Sequence, residues 1–233
     1  MLFGFFDPLY LLIMLPGLLL SVWASMYTKS TFAKFSRVRA MRGYTGAQAA
    51  HEMLARNGVN DVTIQMTRGF LSDHYDPRSK TLRLSRDVYH GQSLSAVGVA
   101  CHEAGHALQH AHGYLALGLR TALVPAASIG SNFSYFILIV GFLLRSQPLV
   151  LTGILLFSLA VAFTLITLPV EWNASARAKK AMVATGMVSP QEQRGAAAVL
   201  NAAFMTYVAG AVSALLMLLY YLLRSGLLGG RDD

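Results

Sequence analysis

The sequence predicts a mainly helical membrane protein with four transmembrane helices and one folded α+β insertion between the first and second spans. Of 233 residues, 55% are hydrophobic and only 13% are charged, whereas a soluble domain carries about 25% charged residues. Four uncharged stretches are long enough to cross a bilayer, which takes roughly 20 residues. They are residues 8–27, 121–144, 148–170 and 203–223. The apolar content excludes disorder, and a single cysteine excludes a disulfide scaffold.

The first span predicts an uncleaved anchor whose N-terminus lies outside the cell. A signal peptide begins with positive residues, but here Asp7 is the one early charge and the positive residues follow the span. Residues 28–120 and 171–202 then share one side of the membrane, and the termini lie on the other. The two sides differ in the number of positive residues near the membrane. The side of residues 28–120 and 171–202 has nine, Lys29, Lys34, Arg37, Arg39, Arg42, Arg120, Arg177, Lys179 and Lys180, and the side of the termini has three, Arg145, Arg224 and Arg231. Because positive residues stay in the cytoplasm, we expect a multi-pass inner-membrane protein with a cytoplasmic insertion and both termini outside.

The connection between the first two spans has the local signals of a small α+β unit. Hydroxyl side chains at N-cap positions indicate two helices, alternating apolar and polar residues indicate two strands, and an Asp-Pro dipeptide indicates a turn. The predicted elements are a helix over 46–56 capped by Thr45 and ended by Asn57-Gly58, strands over 62–66 and 81–85, a turn over 76–79, and a helix from Ser93 or Ser95 to about His112.

The second of these helices contains the pattern His-Glu-Ala-Gly-His at residues 102–106. A helix places residues four apart on one face, so His102 and His106 can bind one metal ion. Glu103 then lies beside the open coordination position, where it can accept a proton from a water whose pKa zinc lowers to about 7. The pattern predicts one Zn²⁺ per chain, with both histidines as ligands and Glu103 as the general base.

Catalytic zinc needs a third protein ligand in addition to two histidines. Glu171 is the favoured choice, because it follows the third span directly and two crossings return the chain to the side of His106. A carboxylate at such a position is typical of a functional site. His112 has the spacing of the third metzincin histidine, but Gln109 stands where those enzymes need a helix-breaking glycine. Glu192 is interpreted as a first-turn residue stabilised by the helix dipole.

Four segments of the chain together resemble a known family. They are residues 102–109, His-Glu-Ala-Gly-His-Ala-Leu-Gln, residues 169–175, Pro-Val-Glu-Trp-Asn-Ala-Ser, and residues 43–46 and 73–77. With them, the chain resembles the putative neutral zinc metallopeptidases of bacterial membranes. The resemblance implies a multi-pass, gluzincin-like peptidase with a zincin-like insertion, in which His102, His106 and Glu171 bind zinc and Glu103 is the catalytic base. The wider membrane gluzincins often carry an Asp four residues after the ligand Glu, where this sequence has Ser175.

Further side chains are expected to orient the ligands and to stabilise the reaction. A ligand histidine donates its second N–H to another group, and the oxyanion needs a hydrogen-bond donor. The candidates for the first role are Asp73, Asp76 and Ser175, and those for the second are His74, Tyr75, Asn173 and Arg177.

The predicted activity is peptide-bond hydrolysis by a zinc metalloendopeptidase whose site lies near the cytoplasmic membrane face. We expect peptides or membrane proteins as substrates, contact with the lipid bilayer and no nucleic-acid partner, and the sequence leaves the oligomeric state open. An extended substrate could add as a strand beside residues 81–85. Two alternatives stay open. One is a membrane scaffold or regulator with structural zinc and a fourth protein ligand, His110 or His112; the other is a zinc hydrolase of a lipid-linked substrate.

Overall fold

The computed structural model describes residues 7–69 and 72–228. In chain order the elements are α1 (Pro8–Ser36), α2 (Gly46–Arg56), β1 (Thr63–Thr67), β2 (His74–Asp76), β3 (Thr81–Ser85), α3 (Arg86–Tyr89), α4 (Leu94–Ala111), α5 (Leu115–Leu143), α6 (Gln147–Ala184) and α7 (Pro190–Arg224). The prediction of a mainly helical chain with a small sheet is confirmed. The chain divides into two compact units, a site unit of residues 25–118 and 169–205 and a helical unit that contains the rest.

Within the described residues, four helices are long and apolar enough to cross a membrane: α1, α5, α6 and α7. Helices α1, α6 and α7 each contain one of the uncharged stretches found in the sequence, and α5 covers its stretch up to the last residue but one. Most of the helices run well past the stretch. Helix α1 continues to Ser36, α6 continues to Ala184, and α7 begins already at Pro190. The bilayer limits only the apolar part of a helix, so polar residues that favour helix formation can extend it into water.

Small residues let the helices of the helical unit approach each other. Gly17 faces Ser213, and a side chain on Gly153 would meet Leu138. Such close approach is the usual basis of helix packing in membranes, where the burial of apolar surface provides little driving force for association. A buried cluster forms around these contacts from Leu138, Val150, Ile154, Tyr220 and Tyr221.

The helix caps of the site unit follow the sequence closely. Thr45 caps α2, and with Gln48 it forms a capping box in which each side chain bonds the other residue's backbone N–H. Ser93, rather than Ser95, caps α4 by accepting a hydrogen bond from the backbone of Ala96 at 3.2 Å. These caps start both helices where the local sequence predicts them.

The sheet has the order β1-β3-β2, with β1 parallel and β2 antiparallel to β3. Strands β1 and β3 match the predicted segments to within one residue, but β2 was missed because three residues are too short to show alternation. The expectation that residues 81–85 offer a free edge to an extended substrate is wrong. Strand β3 is the central strand and is paired on both sides, so β1 and β2 form the edges of the described sheet.

Helix α4 is the central helix of the site unit. Its buried face shares one core with the inward residues of β3 and with the polar end of α6, represented by Leu82, Leu84, Val97, Cys101 and Met182. All five side chains are fully buried. This packing fixes the rotation of α4 about its axis and therefore the direction in which its histidines point.

Candidate metal centre

Helix α4 presents two imidazole rings to a carboxylate on α6. The rings of His102 and His106 lie one helical turn apart, with centroids separated by 4.8 Å and planes at 86°. Their Nε2 atoms lie 3.1 and 3.4 Å, respectively, from the same oxygen, Oε2 of Glu171. One candidate ligand atom from each of the three residues lies within 4.8 Å of the other two. The structure thus brings together the residues that the sequence nominates.

The two helices meet closely because a glycine of the motif faces an alanine. A Cβ atom on Gly105 would lie 2.7 Å from the carbonyl oxygen of Ala174, which is closer than nonbonded atoms approach. Both Ala104 and Ala174 are fully buried beside this contact. The absence of a side chain at residue 105 therefore allows α4 and α6 to carry their ligands to one point.

The cluster of His102, His106 and Glu171 is largely buried and contains a carboxylate. Glu171 is 2% exposed and His106 is 7% exposed. Burial lowers the pKa of His106, but the hydrogen bond with Glu171 and the charges of Glu103 and Glu171 outweigh it, so the pKa is raised above its ordinary value. A buried carboxylate requires a positive partner. The Glu171 carboxylate faces two imidazoles, which can either take up a proton or bind a metal ion together with it.

The donor set and its spacing fit zinc. Two imidazole nitrogens and one carboxylate oxygen form a known ligand set of catalytic zinc, which leaves the fourth position for water. For tetrahedral zinc with bonds of about 2.0–2.1 Å, neighbouring ligand atoms lie about 3.3 Å apart. The distances of 3.1 and 3.4 Å from the Glu171 oxygen to His102 and His106 agree with this value.

Each imidazole also has a partner at its second nitrogen. Nδ1 of His102 lies 3.0 Å from Oγ of Ser175, and Nδ1 of His106 lies 3.0 Å from Oε1 of Gln109. The structure thus places Ser175, one of the predicted partners, beside His102. Sequence reasoning missed Gln109 as such a partner, although its position three residues after His106 puts it on the same face of the helix.

The two acidic candidates for that role bind elsewhere in the site unit. Asp73 accepts hydrogen bonds from the backbone and the hydroxyl of Ser85, at 2.7 and 3.0 Å. Asp76 accepts them from the hydroxyl of Ser79 and the backbone of Arg78, and these bonds lower its pKa to about 2. Asp76 therefore stabilises the turn between β2 and β3, and Asp73 ties the segment before β2 to the end of β3.

Two of the four oxyanion candidates lie on β2. Nδ1 of His74 is 2.8 Å from the carbonyl oxygen of Ser72, at an exposed position. The hydroxyl of Tyr75 is 2.9 Å from Nδ1 of His110 on α4. Burial raises the pKa of Tyr75 to about 12, so this side chain remains a hydrogen-bond donor at neutral pH.

The other two oxyanion candidates form a chain of contacts behind His106. Oδ1 of Asn173 accepts hydrogen bonds from Nε of Arg177 at 2.8 Å and from Nε2 of Gln109 at 3.0 Å. Nη1 of Arg177 lies 3.1 Å from Nδ1 of His112, the C-cap residue of α4. His112, the alternative third ligand, thus contacts Arg177, and the metal-binding group found in the described residues does not include it.

Glu192 occupies the first turn of α7, as its sequence context predicts. Its carboxylate accepts hydrogen bonds from the backbone of Ser189 and of Met41, both at 2.8 Å. Glu192 therefore caps a helix and joins it to the segment that follows α1.

Comparisons with known proteins agree with the geometry. Residues 10–226 match the model of a family described as "Putative neutral zinc metallopeptidase". The chain belongs to this family. It is also 46% identical over 225 residues to a protein of Bacillus subtilis (strain 168) named "Putative membrane protease YugP", covering 97% of this chain and 99% of that protein. No solved structure matches the chain. The resemblance found in the sequence is confirmed, and the relative and the four apolar helices indicate a multi-pass membrane protein.

The close approach at Gly105 gives a test of the two-helix arrangement. Gly105→Ala should push α4 away from α6, destabilise the protein by about 1–3 kcal/mol as overpacking does, and lower its affinity for zinc. Gly118→Ala is the matched control, because a Cβ there would meet nothing within 4 Å. Thermal unfolding in detergent and zinc titration measure the two effects. Equal behaviour of the two variants would contradict the tight contact.

Proposed function

We propose that this chain is a zinc metalloendopeptidase that hydrolyses peptide bonds at the cytoplasmic face of the inner membrane. The observation that carries the proposal is the convergence of His102 and His106 on one carboxylate oxygen of Glu171. Membership of a family described as zinc metallopeptidases supports it. In this proposal the three residues hold one zinc ion per chain.

In this proposal Glu103 is the general base. It follows His102 on α4 and is only partly buried, whereas His106 is buried. Zinc, when bound, supplies Lewis-acid polarisation of the substrate carbonyl and a lowered pKa for water at its open position. The Glu103 carboxylate accepts a proton from the attacking water as the water oxygen bonds the carbonyl carbon. It then gives that proton to the leaving amine as the C–N bond breaks.

The contacts of two other histidines favour a catalytic site over a structural one. A structural zinc site is closed by a fourth protein ligand, for which His110 and His112 are the sequence candidates. Nδ1 of His110 bonds Tyr75, and Nδ1 of His112 bonds Arg177. Neither histidine joins the metal-binding group of the described residues, which supports an open fourth position. Membership of the peptidase family favours a peptide over a lipid-linked substrate.

The third ligand lies at the boundary between the apolar and the basic parts of α6. Residues 148–170 carry no charge, and Arg177, Lys179 and Lys180 follow Glu171. The neighbouring Trp172 is 56% exposed, packs against Phe204 and lies under the ammonium group of Lys179. Exposed tryptophan is typical of the lipid headgroup layer, and positive residues mark the cytoplasmic side. We therefore propose a site at the cytoplasmic membrane surface and polypeptides bound to or emerging from the bilayer as substrates.

The role of Glu103 can be tested by Glu103→Gln. Because the amide cannot accept the proton, peptide cleavage should fall at least about 100-fold, while the zinc content stays at the wild-type value. Glu52→Gln is the control, since Glu52 pairs with Arg56 on the surface of α2. Mass spectrometry of a peptide mixture measures cleavage, and elemental analysis measures zinc. Normal cleavage by Glu103→Gln would refute the assignment.

The ligand set can be tested by metal analysis of three alanine variants. Glu171→Ala should lose most of the bound zinc, because two histidines alone do not hold a catalytic ion. Glu192→Ala and His112→Ala should retain it, since their side chains cap α7 and contact Arg177. A loss confined to His112→Ala would show that the proposed third ligand is wrong.

The depth of the site can be tested with Trp172 itself. Trp23→Phe leaves Trp172 as the one tryptophan of the chain, so its fluorescence reports the neighbourhood of Glu171. In vesicles, lipids brominated near the headgroup should quench it more strongly than lipids brominated near the end of the acyl chain. The variant Trp172→Phe retains Trp23, and its fluorescence serves as the comparison. Absence of quenching by every brominated lipid would place the site away from the bilayer.

A further inference from the structure

Gln109 is a fully buried polar side chain that the proposed reaction does not use. Its Oε1 lies 3.0 Å from Nδ1 of His106, and its Nε2 donates to the carbonyl oxygen of Val170 at 2.8 Å and to Oδ1 of Asn173 at 3.0 Å. A side-chain amide has two N–H donors and a carbonyl acceptor. The three contacts use both donors and the acceptor.

The orientation of this amide follows from the chemistry of its partners. A backbone carbonyl only accepts, so the nitrogen of Gln109 must face Val170. Arg177 gives independent evidence, because a guanidinium only donates and the Asn173 atom 2.8 Å from its Nε must therefore be the carbonyl oxygen. That same oxygen faces Gln109. A reversed Gln109 amide would place oxygen against two acceptors, so the reversed arrangement is excluded.

This orientation decides which nitrogen of His106 carries the proton. The oxygen of Gln109 faces Nδ1, and an oxygen that only accepts requires N–H at that position. A neutral imidazole has one N–H, so the lone pair lies on Nε2, the nitrogen that faces Glu171 at 3.4 Å. This tautomer is the one that binds a metal through Nε2. His102 differs, because its partner Ser175 has a hydroxyl that can either donate or accept.

We propose that Gln109 is a positioning residue that holds His106 in the Nδ1–H tautomer with Nε2 directed to the metal, and that Asn173 and Arg177 fix the orientation of Gln109. The inference rests on the proposed function in so far as His106 is a metal ligand. The hydrogen bonds run from Arg177 through Asn173 and Gln109 to His106, and in each of them one donor faces one acceptor.

The test is the zinc affinity of the full-length protein in detergent, measured by competition with a chelator. Gln109→Met has a similar length but offers no carbonyl oxygen, so it should weaken zinc binding about 10–100-fold, the usual effect of removing a ligand's hydrogen-bond partner. Gln109→Glu keeps an acceptor for His106 but sets its second oxygen against the acceptor oxygens of Val170 and Asn173, so it should also bind zinc more weakly than the wild type. A side chain that merely filled space would be replaced by methionine without loss of zinc affinity, because the two side chains are similar in length.

A second pair of variants tests the origin of the orientation. Both contacts of Asn173 use its Oδ1, so Asn173→Asp should bind zinc nearly as tightly as the wild type, whereas Asn173→Leu should bind it more weakly. The control is Gln193→Met, which removes the hydrogen bond from Gln193 to the carbonyl of Lys179 in the same unit and should leave zinc affinity unchanged. Circular dichroism of the metal-free proteins checks that each variant folds.

The outcomes separate this inference from the proposed peptidase activity. Full zinc affinity in Gln109→Met, or equal loss in Asn173→Asp and Asn173→Leu, would overturn the positioning role even if cleavage that depends on Glu103 is observed. Conversely, the predicted order of affinities without any peptide cleavage would support the positioning role and refute the peptidase.

Discussion

The contact of one carboxylate oxygen of Glu171 with two imidazole nitrogens is the constraint on which the site depends. A carboxylate that is 2% exposed is costly unless positive partners compensate for its lost hydration, and here the partners are two imidazoles that can take up a proton or bind a metal ion together with it. Those partners are on α4 and the acid is on α6, so the two helices must approach to within side-chain reach. The contact of Gly105 with Ala174 provides that approach. The packing of α4 against α6 and the geometry of the site therefore depend on the same contact.

The proposed metal ligands and the side chains that contact them come from the same two helices. Helix α4 supplies His102, His106 and Gln109, and helix α6 supplies Glu171 and Ser175. Spacings of three and four residues on α4 and of four on α6 place these side chains on facing surfaces. Sites on rigid helices hold their groups more accurately than sites on loops. Each histidine is consequently contacted from both sides, by the acid and by a hydrogen-bond partner.

Features with local causes could be predicted from the sequence. Thr45 and Ser93 start their helices through hydrogen bonds within one turn, and the spacing of His102 and His106 on a helix requires their proximity. The partnership with Glu171 could be inferred because the count of membrane crossings puts it on the same side. These predictions need no knowledge of tertiary packing.

Features that depend on tertiary contacts could not be predicted from the sequence. The central position of β3 follows from its pairing with a three-residue strand, β2, that has no periodicity of its own. Gln109 has a role only because Val170 and Asn173 on another helix receive its N–H groups. Local sequence patterns contain no information on such pairings.

Helix α6 runs without interruption over 38 residues, about 57 Å at 1.5 Å per residue, and Glu171 lies within it. Within this helix, Pro169 stands two residues before Glu171. Proline has no backbone N–H, and its ring clashes with the carbonyl group four residues earlier, so it disturbs the regular hydrogen bonding of a helix. Residue 169 is therefore a position at which the backbone that directs Glu171 toward the imidazoles can be altered without changing any of the three proposed ligands.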